Sequence, residues 1–170
     1  MLFRIPIKPY LKKFVLKRLP EPYYSSNKEY LGVFLMKLLR DKHQQNIYDN
    51  WRDNYIGRLH VELPEHNVAR KCAKNINGAV IVKFNSFLRD LFEEKMYEFI
   101  EQRIMYSNTK VLVSTAINDW IEIYDLTEDE IPYDSLRKKY MRRKQKYNKK
   151  YVEDCPIFNP DFTASKPARL

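Results

Sequence analysis

The sequence has few of the residues on which several classes of protein depend. It contains 3 glycines, 2 cysteines and 3 histidines in 170 residues. The scarcity of glycine argues against a glycine-rich phosphate loop, and Cys72 and Cys155 are far apart, outside any spacing typical of zinc ligands. His43, His60 and His66 form no metal-binding or catalytic motif. We therefore expect no cofactor, no metal site and no enzymatic activity.

Long apolar runs are absent as well. Charges interrupt residues 1–15, which excludes the apolar core of a secretory signal, and no stretch approaches the roughly 18 apolar residues of a membrane span. The 44% hydrophobic, 14% aromatic and 31% charged residues are typical of a folded domain with a polar surface. We expect one globular domain over residues 1–152, an extended tail over 153–170, and a cytoplasmic location or packaging with nucleic acid in a virion.

Basic charge is abundant and concentrated in Leu136–Val152, which we call the basic segment. The chain has 31 Lys and Arg against 22 Asp and Glu, a formal net charge of +9. Nine of the 31 lie in this segment, so the remaining 22 balance the 22 acidic residues. The nine are Arg137, Lys138, Lys139, Arg142, Arg143, Lys144, Lys146, Lys149 and Lys150.

The basic segment is predicted to form a helix that packs on a body. At about 100° per residue, Leu136, Tyr140, Tyr147 and Tyr151 lie on one side of the helix, and the basic residues cover the rest. Like charges four residues apart cost an isolated helix roughly 0.2 to 0.5 kcal/mol per pair. This surface therefore needs counter-charge from a partner or from the chain itself.

Apolar periodicity predicts a mainly α fold of the α+β class. We expect five to six helices around a central long helix at about 84–106, with a small two-stranded β element. The strands are predicted at 3–7, where Pro6 requires a sheet edge, and at 58–63. The helices are predicted at 9–19, 28–42, 65–74, 84–106, 111–124 and 136–151.

Local signals mark some of the element boundaries. Residues 79–84 contain a short β-branched run, Val80 to Val82, which is typical of either a strand or the start of the central helix. Ser26 with Glu29, and Thr127 with Glu130, have the spacing of capping boxes. The first pair predicts the start of helix 28–42. The second is a further capping box, after which the basic helix is expected to begin within 132–135.

Two groups of carboxylates bear on the counter-charge. Seven acidic residues and no Lys or Arg lie between Val111 and Leu136, and they neutralise part of the basic segment if the helices fold back. The acidic residues of the central helix are expected to form a solvated face opposite its apolar stripe. They are Asp90, Glu93, Glu94, Glu98 and Glu101.

Two element orders resemble those of DNA-binding families. Helix 111–124 and the basic helix give a helix-turn-helix-like C-terminal half, although their connection of about ten residues exceeds the usual three or four. The strand and two helices within residues 3–42 resemble the order of ribbon-helix-helix proteins, in which Arg4 and Lys8 would point outward into a groove. Pro6, which cannot donate a ladder hydrogen bond, counts against that arrangement.

These features predict a non-enzymatic protein that binds nucleic acid, with duplex DNA preferred because a helix of about 24 Å fits a major groove. RNA remains an alternative, without an RNA-binding motif to support it. The contact residues are expected on the basic helix and, as a second set, near the N-terminus. They are Arg137, Lys138, Lys139, Arg142, Arg143, Lys146, Lys149 and Lys150, with Arg4, Lys8, Lys12 and Lys13.

The expected role is a transcription or replication regulator, or a DNA-packaging accessory. Frequent Lys, Asn, Ile and Tyr, which have AT-rich codons, indicate a bacterium, phage or mobile element. The alternative is a structural or adaptor protein, for example a phage virion or assembly component, whose basic helix docks on an acidic protein surface. A homodimer or larger assembly is left open, and no small-molecule substrate is indicated.

Overall fold

The protein is described by a computed structural model that covers most of the chain. It describes residues 2–26, 28–41, 55–63, 76–107 and 111–154, with side chains up to residue 148 in the last range. The predicted helix at 65–74 and residues 155–170 of the predicted tail lie outside these ranges. The elements, in chain order, are β1 (Leu2–Ile7), α1 (Pro9–Leu16), β2 (Tyr23–Tyr24), α2 (Tyr30–Arg40), β3 (Gly57–Glu62), α3 (Gly78–Met105), α4 (Val113–Ile123) and α5 (Tyr133–Asp154).

The fold is mainly α with a small β element, as predicted, but the sheet has three strands rather than two. Its order is β1-β3-β2. β1 runs antiparallel to β3, with Ile5 opposite Leu59, and Pro6 lies on an edge strand as expected. β2 joins β3 in parallel, with Tyr23 opposite Val61. The sequence analysis did not predict β2, because a two-residue strand is too short to show a period of two.

The sheet also limits the resemblance to ribbon-helix-helix proteins to the order of elements. β1 takes its antiparallel ladder partner, β3, from its own chain, whereas the paired strands of those dimers come from two chains. Ile5 and Ile7 of β1 are buried in the core and Arg4 is exposed on the other face. One face of β1 therefore packs against the core.

The central helix is α3, which starts earlier than predicted. The side chain of Asn77 accepts a hydrogen bond from the Val80 N–H at 3.0 Å, so the ambiguous residues 79–84 form its first turns. α3 contacts α1, α2, α4, α5 and β1. Its fully buried apolar residues are Val80, Phe84, Leu88, Phe92, Met96 and Ile100. No helix in the described ranges combines the length and apolar character needed to cross a membrane.

Buried aromatic rings join α1, α3 and α4. The ring of Trp120 lies 5.6 Å from that of Phe92 in an edge-to-face contact and 5.4 Å from that of Phe99, centroid to centroid. Phe14 of α1 makes an edge-to-face contact with Phe92 at 5.4 Å. Such pairs add about 0.5 to 1.5 kcal/mol beyond the area they bury. This cluster joins three helices into the body against which α5 packs.

One buried polar residue, Asn85, ties the sheet to the central helix. Its Oδ1 accepts the Lys8 N–H at 3.1 Å, and its Nδ2 donates to the carbonyls of Pro6 and Ile81, both at 2.9 Å. These bonds satisfy a side chain that would be costly to bury unpaired. A polar residue within the apolar stripe of α3 was the available sequence signal, and it was missed.

The two predicted capping boxes have different outcomes. Ser26 Oγ accepts the Lys28 N–H at 3.1 Å, but α2 starts at Tyr30 with no side-chain cap, so this box was wrong. Glu130 Oε2 does accept the Thr127 N–H at 3.2 Å, which is half of the second box. That bond closes a turn immediately before α5.

Candidate nucleic-acid interface

The basic helix α5 is attached to the body by its apolar stripe, as predicted. Leu136 and Tyr140 are fully buried. The ring of Tyr97 on α3 stacks on Tyr140 at 5.7 Å and on Tyr147 at 4.7 Å, centroid to centroid. The side chain of Tyr151, the last member of the predicted stripe, lies outside those described. The aromatic contacts fix which side of α5 faces outward.

Part of the basic charge faces the body and is neutralised there. Lys139 forms an ion pair with Glu93 of α3, and the Arg143 guanidinium lies 3.5 Å from the Glu94 carboxylate. Arg143 also donates to the carbonyl of Asp90 at 3.5 Å. The side chains of Lys139 and Arg143 are 21% and 19% exposed. These cations are therefore structural contacts between α5 and α3.

A third inward pairing links a buried tyrosine to a lysine through one carboxylate. The Tyr140 hydroxyl donates to Glu101 Oε1 at 2.5 Å, and Lys144 Nζ lies 3.2 Å from the same oxygen. Lys144 also donates to the Tyr140 oxygen at 3.1 Å, and this bond, with Glu101, raises the pKa of Lys144. Burial, together with Glu101, raises the pKa of Tyr140. Both groups therefore keep their protons at neutral pH.

These ion pairs show that α3 supplies the counter-charge to the inner side of α5, which differs from the sequence-based expectation. The acidic side of α3 was expected to be solvated, but Glu93, Glu94 and Glu101 pair with cations of α5. Among the described residues, the acidic run before α5 forms no ion pair with the basic segment; its Asp119 pairs with Arg103 at 3.0 Å. Sequence periodicity locates a polar side of a helix but not the element that will cover it.

The opposite side of α5 has exposed cations. Arg137, Lys138 and Arg142 are exposed and make no hydrogen bond or ion pair with the residues that the structure describes. With Asp134, Met141 and Gln145 they line an open groove of about 520 Å³. We call Arg137, Lys138, Met141, Arg142 and Gln145 the outer face.

The remaining predicted contacts of α5 are Lys146, Lys149 and Lys150. Lys146 is exposed. The side chains of Lys149 and Lys150 are beyond those described, so contact by these two residues stays a prediction.

The predicted second set of contacts near the N-terminus is partly used inside the protein. Lys13 Nζ lies 2.9 Å from Glu130 Oε2, and the pKa of Lys13 is raised by this hydrogen bond. Lys12 Nζ lies 3.2 Å from Glu21. Glu21 also accepts from His60 Nδ1 at 2.7 Å, and this bond lowers the pKa of Glu21. α1 is therefore neutralised by carboxylates from elsewhere in the fold.

Arg4 and Lys8 are placed differently from each other. Arg4 is exposed on the sheet, opposite His60 in the β1–β3 register. Lys8 lines a cleft that also contains Arg89 of α3. Arg89 was not among the predicted contacts, and no sequence signal links it to a lysine eighty-one residues earlier.

Comparison with known proteins identifies no relative. No protein-family model matches the chain, and no curated protein and no solved structure matches it. These comparisons therefore assign no role to any residue of the outer face.

Proposed function

We propose that the protein binds nucleic acid, with duplex DNA preferred, through the outer face of α5. The observation that carries this proposal is the division of the basic segment into two sets of cations. Lys139, Arg143 and Lys144 have carboxylate partners on α3, whereas Arg137 and Arg142 have none among the described residues. The cations without a carboxylate partner are exposed, so they are the ones available to the phosphates of a partner.

The outer face suits a phosphate backbone. Its cations lie on a helix of 22 residues, about 33 Å long at 1.5 Å per residue. This helix packs on the body through the buried Leu136 and Tyr140. Each phosphate that a Lys or Arg neutralises releases condensed counterions, which supplies salt-dependent affinity. Because the helix is already formed, binding orders the Lys and Arg side chains but does not have to fold their backbone.

The positions of the tyrosines favour duplex over single-stranded nucleic acid. Proteins that bind single strands stack bases on exposed aromatic rings. On α5 the rings of Tyr140 and Tyr147 stack on Tyr97 instead. No aromatic residue belongs to the outer face, so its described part offers charge and hydrogen bonds but no stacking platform.

In this proposal the protein is a non-enzymatic regulator of transcription or replication, or a DNA-packaging accessory. The second candidate is an adaptor whose α5 docks on an acidic protein surface. Met141, which is 41% exposed within the outer face, favours that candidate, because Met and Arg are enriched at protein interfaces.

The decisive test is a mobility-shift titration over salt with the double variant Arg137→Glu and Arg142→Glu. Reversing two phosphate contacts should lower the slope of log affinity against log salt by about 2, and should weaken binding at least about tenfold at moderate salt. The matched control is Lys37→Glu with Arg40→Glu, two exposed cations of α2, which changes the net charge by the same amount.

The outcomes separate the candidates. Retained affinity in the control and loss in the outer-face variant support the proposal. Equal loss in both variants would indicate attraction by net charge alone and would overturn the assignment to the outer face. Duplex DNA, single-stranded DNA and RNA are compared side by side: tighter binding of either single-stranded ligand contradicts the duplex preference, and no binding of any contradicts nucleic-acid binding.

A further inference from the structure

A second cationic site lies in a cleft of about 370 Å³ formed mainly by α1 and α3. Lys8, just before α1, and Arg89 of α3 line it together with Tyr10, Tyr55 and Ser86. Its volume is within the range of small-molecule sites, about 300 to 1,000 Å³. The cleft is distinct from the outer face, with which it shares no lining residue.

The fold brings the two cations to one cleft from separate elements. The backbone of Lys8 is anchored by its hydrogen bond to the buried Asn85 side chain at 3.1 Å. The Arg89 guanidinium donates to Ser86 Oγ at 3.0 Å. Both residues therefore line the cleft before any ligand arrives, and the hydrogen bond to Ser86 orients the Arg89 side chain.

The charge at this cleft is not balanced within the described residues. No carboxylate there forms an ion pair with Lys8, and Arg89 pairs only with its exposed neighbour Asp90, at 3.8 Å. Burial and the charges of Arg89 and Lys139 lower the pKa of Lys8. Lys139 itself is neutralised by Glu93. A bound anion would relieve the repulsion among these cations.

The neutral groups of the cleft can donate hydrogen bonds. Burial and the nearby charge of Glu93 raise the pKa of Tyr10 to about 12, so its hydroxyl stays protonated. Burial also raises the pKa of Tyr55. Protonated hydroxyls beside a Lys and an Arg are a donor set that matches phosphate oxygens.

We propose that the Lys8–Arg89 cleft binds a phosphate monoester group. The Lys8 ammonium and the Arg89 guanidinium take its charge, and the Tyr10 hydroxyl donates to it. The shared chemistry is a terminal phosphate, carried either by a small phosphorylated molecule or by the 5′ end of a nucleic-acid strand. This proposal is independent of binding by the outer face.

The test is calorimetric titration of the full chain with inorganic phosphate, adenosine monophosphate and adenosine. We expect saturable binding of the two phosphates and none of adenosine. Arg89→Gln and Lys8→Gln should each weaken phosphate binding by about tenfold, and both side chains are exposed enough for the fold to tolerate the change. Lys37→Gln on α2 is the matched control and should bind as the wild type does.

A second readout follows Lys8 directly. Modification of its amine by an acylating reagent, located by peptide mass spectrometry, should be suppressed by inorganic phosphate in the wild type and in the outer-face double variant. Adenosine binding equal to that of the monophosphate, unchanged affinity in Arg89→Gln and Lys8→Gln, or no saturable phosphate binding would each overturn the proposal.

Oligonucleotides identify the source of the phosphate. If the site serves strand ends, a 5′-phosphorylated duplex should bind more tightly than its 5′-hydroxyl form, and Arg89→Gln should abolish the difference. If it serves a small molecule, adenosine monophosphate should bind while the two duplexes remain equal. Either result supports the cleft, and the outer-face variant tests duplex binding separately.

Discussion

Both sides of α5 carry Lys and Arg residues, but the surroundings of these cations differ. On the inner side, Lys139 and Lys144 meet carboxylates of α3 beside the buried Tyr140. On the outer side, Arg137 and Arg142 form no ion pair with a described residue, although Asp134 lines the same groove. A count of cations therefore does not identify a binding surface. The position of the carboxylates in the fold decides which cations remain available to a partner.

The same lesson applies to the N-terminal cations. Lys12 and Lys13 were predicted as a second contact with nucleic acid, but each has a carboxylate partner, Glu21 and Glu130 respectively. The acidic run before α5 thus supplies counter-charge to α1 rather than to α5. The outer face is therefore the main candidate surface for contact with nucleic acid. Contact by Arg4 and Lys8 remains a prediction.

The largest expected effect on stability comes from replacing adjacent residues on the two sides of α5. Tyr140→Ala removes a fully buried ring and its bond to Glu101, and should lower the free energy of unfolding by about 3 to 5 kcal/mol. Met141→Ala, on the outer face, should change it by less than about 0.5 kcal/mol. Urea unfolding followed by circular dichroism measures both. Similar losses in the two variants would break the distinction between the sides.

Two neighbouring lysines on opposite sides of α5 should affect different properties when each is replaced. Lys139→Met leaves the half-buried Glu93 without its partner and should cost roughly 1 to 2 kcal/mol of stability, with little change in DNA affinity. Lys138→Met should leave stability unchanged and lower the salt slope of DNA binding by about 1. The reverse pattern, or the same pattern in both variants, would contradict the assignment of inner and outer roles.

The smallest expected effect is at alkaline pH. Tyr140 and Lys144 have folded-state pKa values raised above their ordinary 10.0 and 10.5, so the unfolded chain loses these protons first and stability falls as pH rises above about 10. Lys144 is 40% exposed and solvent-screened, so we expect less than the one-proton limit of about 1.4 kcal/mol per pH unit.

Tyr140→Phe isolates this contribution, because it removes the hydroxyl that Glu101 and Lys144 share. The variant should lose stability less steeply than the wild type between pH 9.5 and 11, values chosen to bracket about one unit around the ordinary tyrosine pKa. Denaturant midpoints across that range provide the measurement. An equally steep decline in the variant would show that Tyr140 does not contribute.

Features governed by near neighbours in the chain were predictable. The Leu136 and Tyr140 stripe, the edge strand with Pro6 and the apolar side of α3 follow from periods of 3.6 and 2 residues, and the structure confirms them. Tyr23–Tyr24 was missed because its strand is only two residues long. Asn85 was missed as a junction because its bonds to Pro6 and Lys8 join residues far apart in sequence.

By itself, the sequence determined that this protein has a basic amphipathic helix, a mainly α body and an excess of positive charge confined to one segment. Only the tertiary structure decided which cations stay unneutralised, because the approach of α3 to one side of α5 is a long-range contact that no local period encodes. The same applies to the Lys8–Arg89 cleft, whose two cations are brought together by the docking of α1 on α3.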